Sequence, residues 1–364
     1  MAATDLSELL LRRWDLAASA GVLRTKVEDT MRRRVPGDLG LVVQFNPKHL
    51  KSKRPVDKQL LEPPPEEAPA KPSASGFNFT KAKMPEFLSG LRFVTGDEQL
   101  LPSVHPVEVG GEEDVSRKEA EHFVLINVAP LVRGHALFVL EMNLVKPQTM
   151  TKSFLLYALS ISQAMQREDF ALGFNSAGAW SSVNHFHLQG YFFPPMGGEA
   201  STNFPIAAQP REDAFRVGGA IVSHVPSWQA TCYAVEPEDP ANDAVNVVGI
   251  TWALLALLQS RGIPHNLVIV GLVLFIFPRQ PQCENGVGLL VDSTLDDTLA
   301  VHPGRLRIAV AELSGLIIAG DIVAYENLTE EMFNSILQAE VSLSPVEEAA
   351  IVAEWEAQTA VRLT

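Results

Sequence analysis

One order of elements recurs along the chain and restricts the fold more than any other feature. Phe123 to Val128 reads as a short apolar strand, Pro130 to Gly134 as a turn, and His135 to Leu140 as a second strand. After Pro147 a helix carries Phe154, Ala158, Ile161 and Met165 on one face, at spacings of four, three and four. Phe170 to Phe174 and Asn184 to Phe193 read as two further strands, which gives strand, strand, helix, strand, strand. The pattern returns with Thr231 to Val235 as a strand, a helix through Ile250, Leu254, Leu257 and Leu258 ending at Gly262, then Asn266 to Val270 and Leu272 to Phe277. Hairpins separated by a helix imply an α+β fold, an antiparallel sheet with helices on one side. The recurrence implies that the sheet is duplicated, residues 1–228 forming one half and 229–364 the other.

The flanks carry separate signals. Asp5-x-x-Glu8 is a capping box for an amphipathic helix over residues 5–20, with Leu6, Leu10 and Trp14 on one face and Gly21 as its stop. Leu39 to Phe45 reads as a strand. In the tail, Ile308 to Val310 and Leu316 to Ile318 read as a strand pair, a helix starts near Thr329, and Ser344-Pro345-Val346-Glu347 opens the last helix.

Charge bears on function. The 364 residues hold 29 basic and 43 acidic side chains, a net charge of −14. That balance disfavours nucleic acid and anionic membranes, whose phosphates are bound by clustered Lys and Arg. Within this acidic chain, Asn46 to Pro55 holds four cations and no acid, an island suited either to a solvated loop or to phosphate contact. Pro55 to Pro72 contains six prolines among Glu and Ala, and the stretch at about 55–75 is expected to be a flexible loop. The two cysteines, Cys232 and Cys283, form no C-x-x-C pair and point to a reducing, cytoplasmic setting. The N-terminal residues do not read as a signal peptide. The longest apolar run, Leu267 to Phe277, is much shorter than the roughly 20 residues a membrane span needs.

The chemistry concentrates at Asn184-His185-Phe186-His187-Leu188-Gln189-Gly190-Tyr191. Strand alternation puts His185, His187 and Gln189 on one face and Phe186 and Leu188 on the other. Two imidazoles and an amide can bind a divalent metal, serve as nucleophile and phosphate donors, or simply fill a core. A metal calls for a third strong ligand, and Gln is a weak one. The preceding loop, Asn175 to Ser182, is rich in small residues that let a phosphate approach backbone N–H groups closely.

His185-x-His187-x-Gln189 resembles the signature of the transferase branch of the histidine triad superfamily, and Pro130-x-x-x-Gly134-His135 is similar to that superfamily's upstream element. Gln44 to Pro55, Gly76-Phe77-Asn78-Phe79-Thr80-Lys81, Gly173-Phe174-Asn175-Ser176 with Gly178-Ala179, and Ala339 to Ser344 resemble the GDP-hexose phosphorylases, a family that includes GDP-L-galactose and GDP-D-glucose phosphorylases. The resemblance implies a duplicated fold like that of galactose-1-phosphate uridylyltransferase. It further implies phosphorolysis of a GDP-hexose by inorganic phosphate through a GMP-histidine, with no metal and no cofactor. His187 would be the nucleophile, His185 its orienting partner, Gln189 a donor to a nonbridging oxygen and His135 a supporting group. Lys51, Lys53, Arg54, Asn78, Lys81, Asn175, Ser176 and Gly178 would contact the substrate. Arg133, His49, His105 and His302 are expected to be surface or structural.

The resemblance leaves two other functions open: a nucleotide-sugar hydrolase or hexose-1-phosphate guanylyltransferase, and a non-catalytic guanine-nucleotide-binding regulator. One segment departs from the family pattern. Val270-Gly271-Leu272-Val273-Leu274 is apolar where relatives carry a polar turn, so it is either a very tight hairpin or one long strand, and a second subunit in a homodimer could cover it.

Overall fold

The computed structural model describes residues 5–49, 57, 60–61, 72, 76–96, 99–109, 120–196, 203–283, 287–288 and 305–361. Most of the proline-rich stretch and His302 lie outside them. The strands are β1 (Met31–Arg34), β2 (Val42–Phe45), β3 (Phe87–Val94), β4 (Ser103–Val107), β5 (His122–Ile126), β6 (Ala136–Val139), β7 (Phe170–Asn175), β8 (Leu188–Phe192), β9 (Glu212–Val217), β10 (Ala220–His224), β11 (Tyr233–Pro237), β12 (His265–Val270), β13 (Val273–Pro278), β14 (Val287–Gly288), β15 (Arg305–Leu306) and β16 (Leu316–Ile318). The helices are α1 (Leu6–Ser19), α2 (Lys152–Met165), α3 (Pro205–Ala208), α4 (Ala244–Ser260), α5 (Val310–Leu313), α6 (Ile322–Asn327), α7 (Glu330–Ile336) and α8 (Pro345–Val361).

Eleven strands form one sheet in the order β4-β3-β5-β6-β8-β7-β12-β13-β11-β10-β9. Outward from the β7·β12 pair, the succession β7, β8, β6, β5 on one side matches β12, β13, β11, β10 on the other, with α2 and α4 in equivalent places. The duplicated α+β architecture expected from the pattern is therefore present. Its second unit also contains two strands that the sequence reading omits: β10 pairs with β11, and β9 pairs with β10 through the Gly218-Gly219 turn. Both strands precede residue 229 and extend the second half of the sheet.

Side-chain alternation sorts the sheet into two faces. Leu172, Phe174, Leu267, Ile269, Leu274 and Ile276 share a core with the long helices α1, α2, α4 and α8. Ala171, Tyr191, Val268, Val270, Phe275 and Phe277 face the other way, into a core with α5, α7 and the small β1-β2-β16 sheet. Only the long helices are confined to one side. The expected strand at Ile308 to Val310 is instead the lead-in to α5, because the Glu312 carboxylate accepts from the Ala309 N–H (2.9 Å) and starts a helical turn. The strand expected over residues 39–45 pairs only from Val42 onward.

Helix ends follow the local chemistry. Asp5 caps α1 by accepting from the Ser7 N–H (2.8 Å), and Thr151 caps α2 by accepting from the Phe154 N–H (3.1 Å). The apolar 270–274 segment is a two-residue hairpin: Val270 pairs with Val273, and Gly271 at φ 57° supplies the positive dihedral the turn requires. Most of both strands is buried within the chain's own sheet, while Gly271, Leu272 and Val273 at the hairpin tip are half-buried.

Candidate active site

The motif strand runs past both of its neighbours. β8 begins at Leu188, where β6 is about to turn off, and β7 ends at Asn175. Residues 183–187 therefore lack a regular ladder, contrary to the strand expected from Asn184 onward. Substitute partners hold them: the Phe186 N–H donates to the Lys146 carbonyl (2.8 Å), and the His187 N–H donates to the Gln148 side-chain oxygen (2.9 Å). The alternation of side chains nevertheless persists. Phe186 packs on Phe154 and Phe174 beneath α2, while His187 and Gln189 line a cavity on the opposite face.

That cavity is lined by His187, Gln189, His135 and Asn175, together with His49, Asn127, Trp180, Arg24, Arg307 and Glu312. His187 Nδ1 lies 2.9 Å from the His185 carbonyl oxygen. A carbonyl only accepts, so Nδ1 carries the ring proton and Nε2 keeps its lone pair. Burial lowers the His187 pKa to about 4, so the ring is neutral at physiological pH. A neutral imidazole with a bare Nε2 has the form that nucleophilic attack requires.

Two amides are oriented by similar reasoning. His135 Nδ1 accepts from the Leu131 N–H (3.0 Å), which puts its proton on Nε2, and Nε2 lies 3.2 Å from Gln189 Oε1. With its oxygen accepting from His135, Gln189 turns its NH2 group toward the cavity. The Asn175 oxygen accepts from Asn266 Nδ2 (2.6 Å) and from the Val310 N–H (3.2 Å), so its NH2 likewise becomes the outward group. The cavity thus joins a bare imidazole nitrogen with two amide donors, a set suited to attack on a phosphorus whose oxygens are held by hydrogen bonds.

The other expected site residues are placed differently. His185 is fully buried and does not line the cavity. Its Nδ1 accepts from the Phe79 N–H (3.0 Å), and Phe79 packs on both imidazoles with ring centroids 5.4 and 5.1 Å away. Burial, and secondarily the charge of His187, lowers the His185 pKa to about 4. The carbonyl of His185 is what meets His187, while its ring pins the Gly76–Lys81 segment in place. Within that segment, Asn78 caps its own turn by accepting from the Thr80 N–H (3.1 Å), and Lys81 Nζ donates to the Gly76 carbonyl (2.5 Å); Phe77 and Phe79, not these two, reach the cavity. The Ser176 hydroxyl accepts from the His265 N–H (2.9 Å), and Gly178 at φ 72° donates its N–H to the Leu60 carbonyl (2.8 Å). Lys51, Lys53 and Arg54 lie outside the described residues.

Several cavity residues escaped the sequence reading. His49, read as surface or structural, is buried and lines the cavity; its place inside the cationic run was the available signal. Trp180 takes a left-handed backbone (φ 69°), its N–H donating to Gln282 Oε1, and the Arg307 guanidinium lies over its ring at 5.2 Å. No helix among the described residues is long and apolar enough to cross a membrane.

Comparison with known proteins places the chain in a family. Residues 5–191 match the family model described as GDPGP1-like, N-terminal domain, and residues 205–353 match GDPGP1-like, C-terminal domain. GDP-L-galactose phosphorylase 2 of Arabidopsis thaliana is 30% identical over 353 residues, covering 94% of this chain and 73% of that protein. GDP-D-glucose phosphorylase 1 of Xenopus laevis is 23% identical over 352 residues, covering 92% and 83%. The crystal structure of yeast Ap4A phosphorylase Apa2 in complex with Ap4A shares the fold, with a TM-score of 0.59 at 16% identity, covering 94% of this chain and all of the other. With both family domains matched in order and their meeting strands beside the His-x-His-x-Gln cavity, the chain belongs to the GDPGP1-like family.

Proposed function

We propose that this chain is a GDP-hexose phosphorylase, converting GDP-D-glucose or GDP-L-galactose and inorganic phosphate into hexose 1-phosphate and GDP. The observation that carries the reading is the His187 imidazole, whose proton is committed to the His185 carbonyl and whose Nε2 is available to the cavity beside the Gln189 amide. Its relatives' names describe GDP-sugar phosphorylases.

His187 Nε2 attacks the α-phosphorus of the GDP-hexose, a P–N bond forms, and the P–O bond to hexose 1-phosphate breaks. An oxygen of inorganic phosphate then attacks the same phosphorus, the P–N bond breaks, and GDP leaves with the imidazole restored. Imidazole suits both steps, because it is nucleophilic when neutral and an adequate leaving group from phosphorus. Gln189 and Asn175 direct their NH2 groups at the nonbridging oxygens as charge shifts across them. His135 supports Gln189. Lys51, Lys53 and Arg54 of the cationic run are assigned to the outer phosphates, and Ser176 and Gly178 to shaping the loop beneath them, while Asn78 and Lys81 hold the Gly76–Lys81 turn and are not assigned to the substrate. The free thiols Cys232 and Cys283 suit a reducing compartment, and the activity is assigned to the cytosol.

The test supplies GDP-glucose, GDP-L-galactose and GDP-mannose with and without phosphate, and follows GDP and GMP release. Phosphate-dependent GDP release is expected. GMP release without phosphate would replace this reading with a hydrolase, dependence on a sugar phosphate would indicate a guanylyltransferase, and binding without turnover a regulator. Mass spectrometry after incubation without phosphate should find a guanylyl adduct on His187, lost in His187→Asn.

A further inference from the structure

Arg279, just beyond β13, is almost completely buried, and its hydrogen bonds run to neutral oxygens: the Gln280 carbonyl (3.1 Å), the Ile308 carbonyl, and Asn266 Oδ1 (3.2 Å). Burial lowers its pKa to about 10, so the guanidinium is still charged at neutral pH. Burying a cation costs free energy; its direct partners are neutral, and the Glu312 carboxylate and Cys283 act on it only through space, which invites the question of what the charge does.

The chain of contacts leads to the cavity. A guanidinium has only donors, so Asn266 must offer it the oxygen and turn its NH2 away. That NH2 donates to Asn175 Oδ1 (2.6 Å) and to the Ala179 carbonyl (2.9 Å). Asn266 and Asn175 are direct cross-strand partners on β12 and β7, where the two halves of the sheet meet. Asn175 must in turn present its oxygen to Asn266, leaving its NH2 for the cavity that His187 lines. A donor-only group at one end sets the direction of each amide above it, and the Ala179 carbonyl on Asn266 and the Val310 N–H on Asn175 favour the same directions.

We propose that Arg279 is a positioning residue which, through Asn266, holds Asn175 with its NH2 toward the cavity and so makes it a donor to the phosphate oxygens of a bound guanine nucleotide. The proposal rests on the reading of this cavity as the phosphate site. It gives the half of the chain without the His-x-His-x-Gln motif a function in the reaction.

Asn266→Asp tests it. The carboxylate gives the buried cation an ionic partner, so folding is retained, but it has no donor for Asn175 Oδ1. The Asn175 amide then turns its NH2 to that carboxylate, giving up the longer bond from the Val310 N–H (3.2 Å), and presents its oxygen to the nucleotide. GDP should bind the variant about 10- to 100-fold more weakly, the range expected for losing a hydrogen bond to a charged group, while guanosine, which has no phosphate, binds within about twofold of wild type. Arg279→Gln, which replaces the donor-only group by an amide that can face Asn266 either way and leaves only the Ala179 carbonyl to direct the Asn266 NH2, should lose several-fold in GDP affinity, again with guanosine unchanged, and it decides the matter if Asn266→Asp does not fold. Equal losses for GDP and guanosine, or no loss for either, would overturn the proposal. Failure of the wild-type protein to bind GDP or to phosphorolyse a GDP-hexose would instead overturn the reading of the site.

Discussion

The side-chain amide of Gln148 occupies the place of a neighbouring strand for His187: its oxygen accepts from the His187 N–H at 2.9 Å and its nitrogen donates to the His187 carbonyl at 3.0 Å. The same nitrogen also donates to the Asn175 carbonyl (3.1 Å), and the Gln148 N–H donates to Asn184 Oδ1 (3.1 Å). One buried glutamine thus ties the nucleophile, the end of β7 and the residue before the motif into one unit. Gln148→Leu should lower kcat by on the order of 10²-fold, the scale of an ångström's misplacement, with KM for the GDP-hexose changing less than about threefold. Steady-state kinetics decide it: a rise in KM at constant kcat would show that Gln148 serves binding and not alignment.

Acid should act first on stability. Burial lowers the pKa values of His185, His187 and His265 to about 4, against about 6.5 in an unfolded chain. As pH falls below 6.5 the unfolded state takes up protons that the folded state refuses. Stability is therefore complete above pH 6.5 and declines as pH falls from 6.5 toward 4. Urea midpoints at pH 8 and pH 5 check this, and equal midpoints would contradict it.

The same depressed pKa shapes the chemistry. With His187 neutral down to about pH 4, adduct formation in the absence of phosphate should be level from pH 8 to about pH 5 and fall only below that. Single-turnover mass spectrometry across this range gives the profile. A fall centred near pH 6.5 would mean that the nucleophile is not shielded from water.

Arg307 lies on the exposed rim of the cavity, above the ring of Trp180. Arg307→Ala should raise KM for the GDP-hexose by up to about tenfold with kcat nearly constant, and the effect should shrink at 0.5 M salt because a rim charge is screened. An effect insensitive to salt would assign Arg307 a packing role.

Gly173 faces α5 closely enough that an added Cβ would stand 2.8 Å from Val310 Cγ2. Gly173→Ala should cost about 1–3 kcal/mol by overpacking and displace the Val310 N–H from Asn175. Thermal melts and GDP titration should move together, and a loss of stability without weaker GDP binding would separate α5 from the site.

The fold was legible wherever the signal was local. Period-2 and period-3.6 runs marked β5, β6, α2, β7, α4, β12 and β13, and the capping residues Asp5 and Thr151 sit where α1 and α2 begin. β9 and β10 were missed because the edge strand β9 is mostly exposed and has little apolar alternation, although Gly218-Gly219 between them was a readable hairpin signal. At the site, His187 and Gln189 could be found because two-residue spacing is a property of the chain itself. Gln148 lies 39 residues from His187, and Asn266 lies 91 from Asn175, so those contacts exist only once the sheet has formed. Of the cationic run, His49 lines the cavity although it was read as surface or structural, and the side chains the run brought forward, Lys51, Lys53 and Arg54, lie outside the described residues.

A chain folded from two copies of one unit has two equivalent strands on which a His-x-His-x-Gln motif could sit, and β8 is the one that carries it. Where β8 carries Gln189 on its cavity face, the equivalent β13 carries Phe275 and Phe277, both packed into the core beneath α5. Labelling of the intact protein by a GDP-hexose should therefore saturate at one GMP per polypeptide, and a separated N-terminal half would lack Asn266, the cross-strand neighbour that orients Asn175.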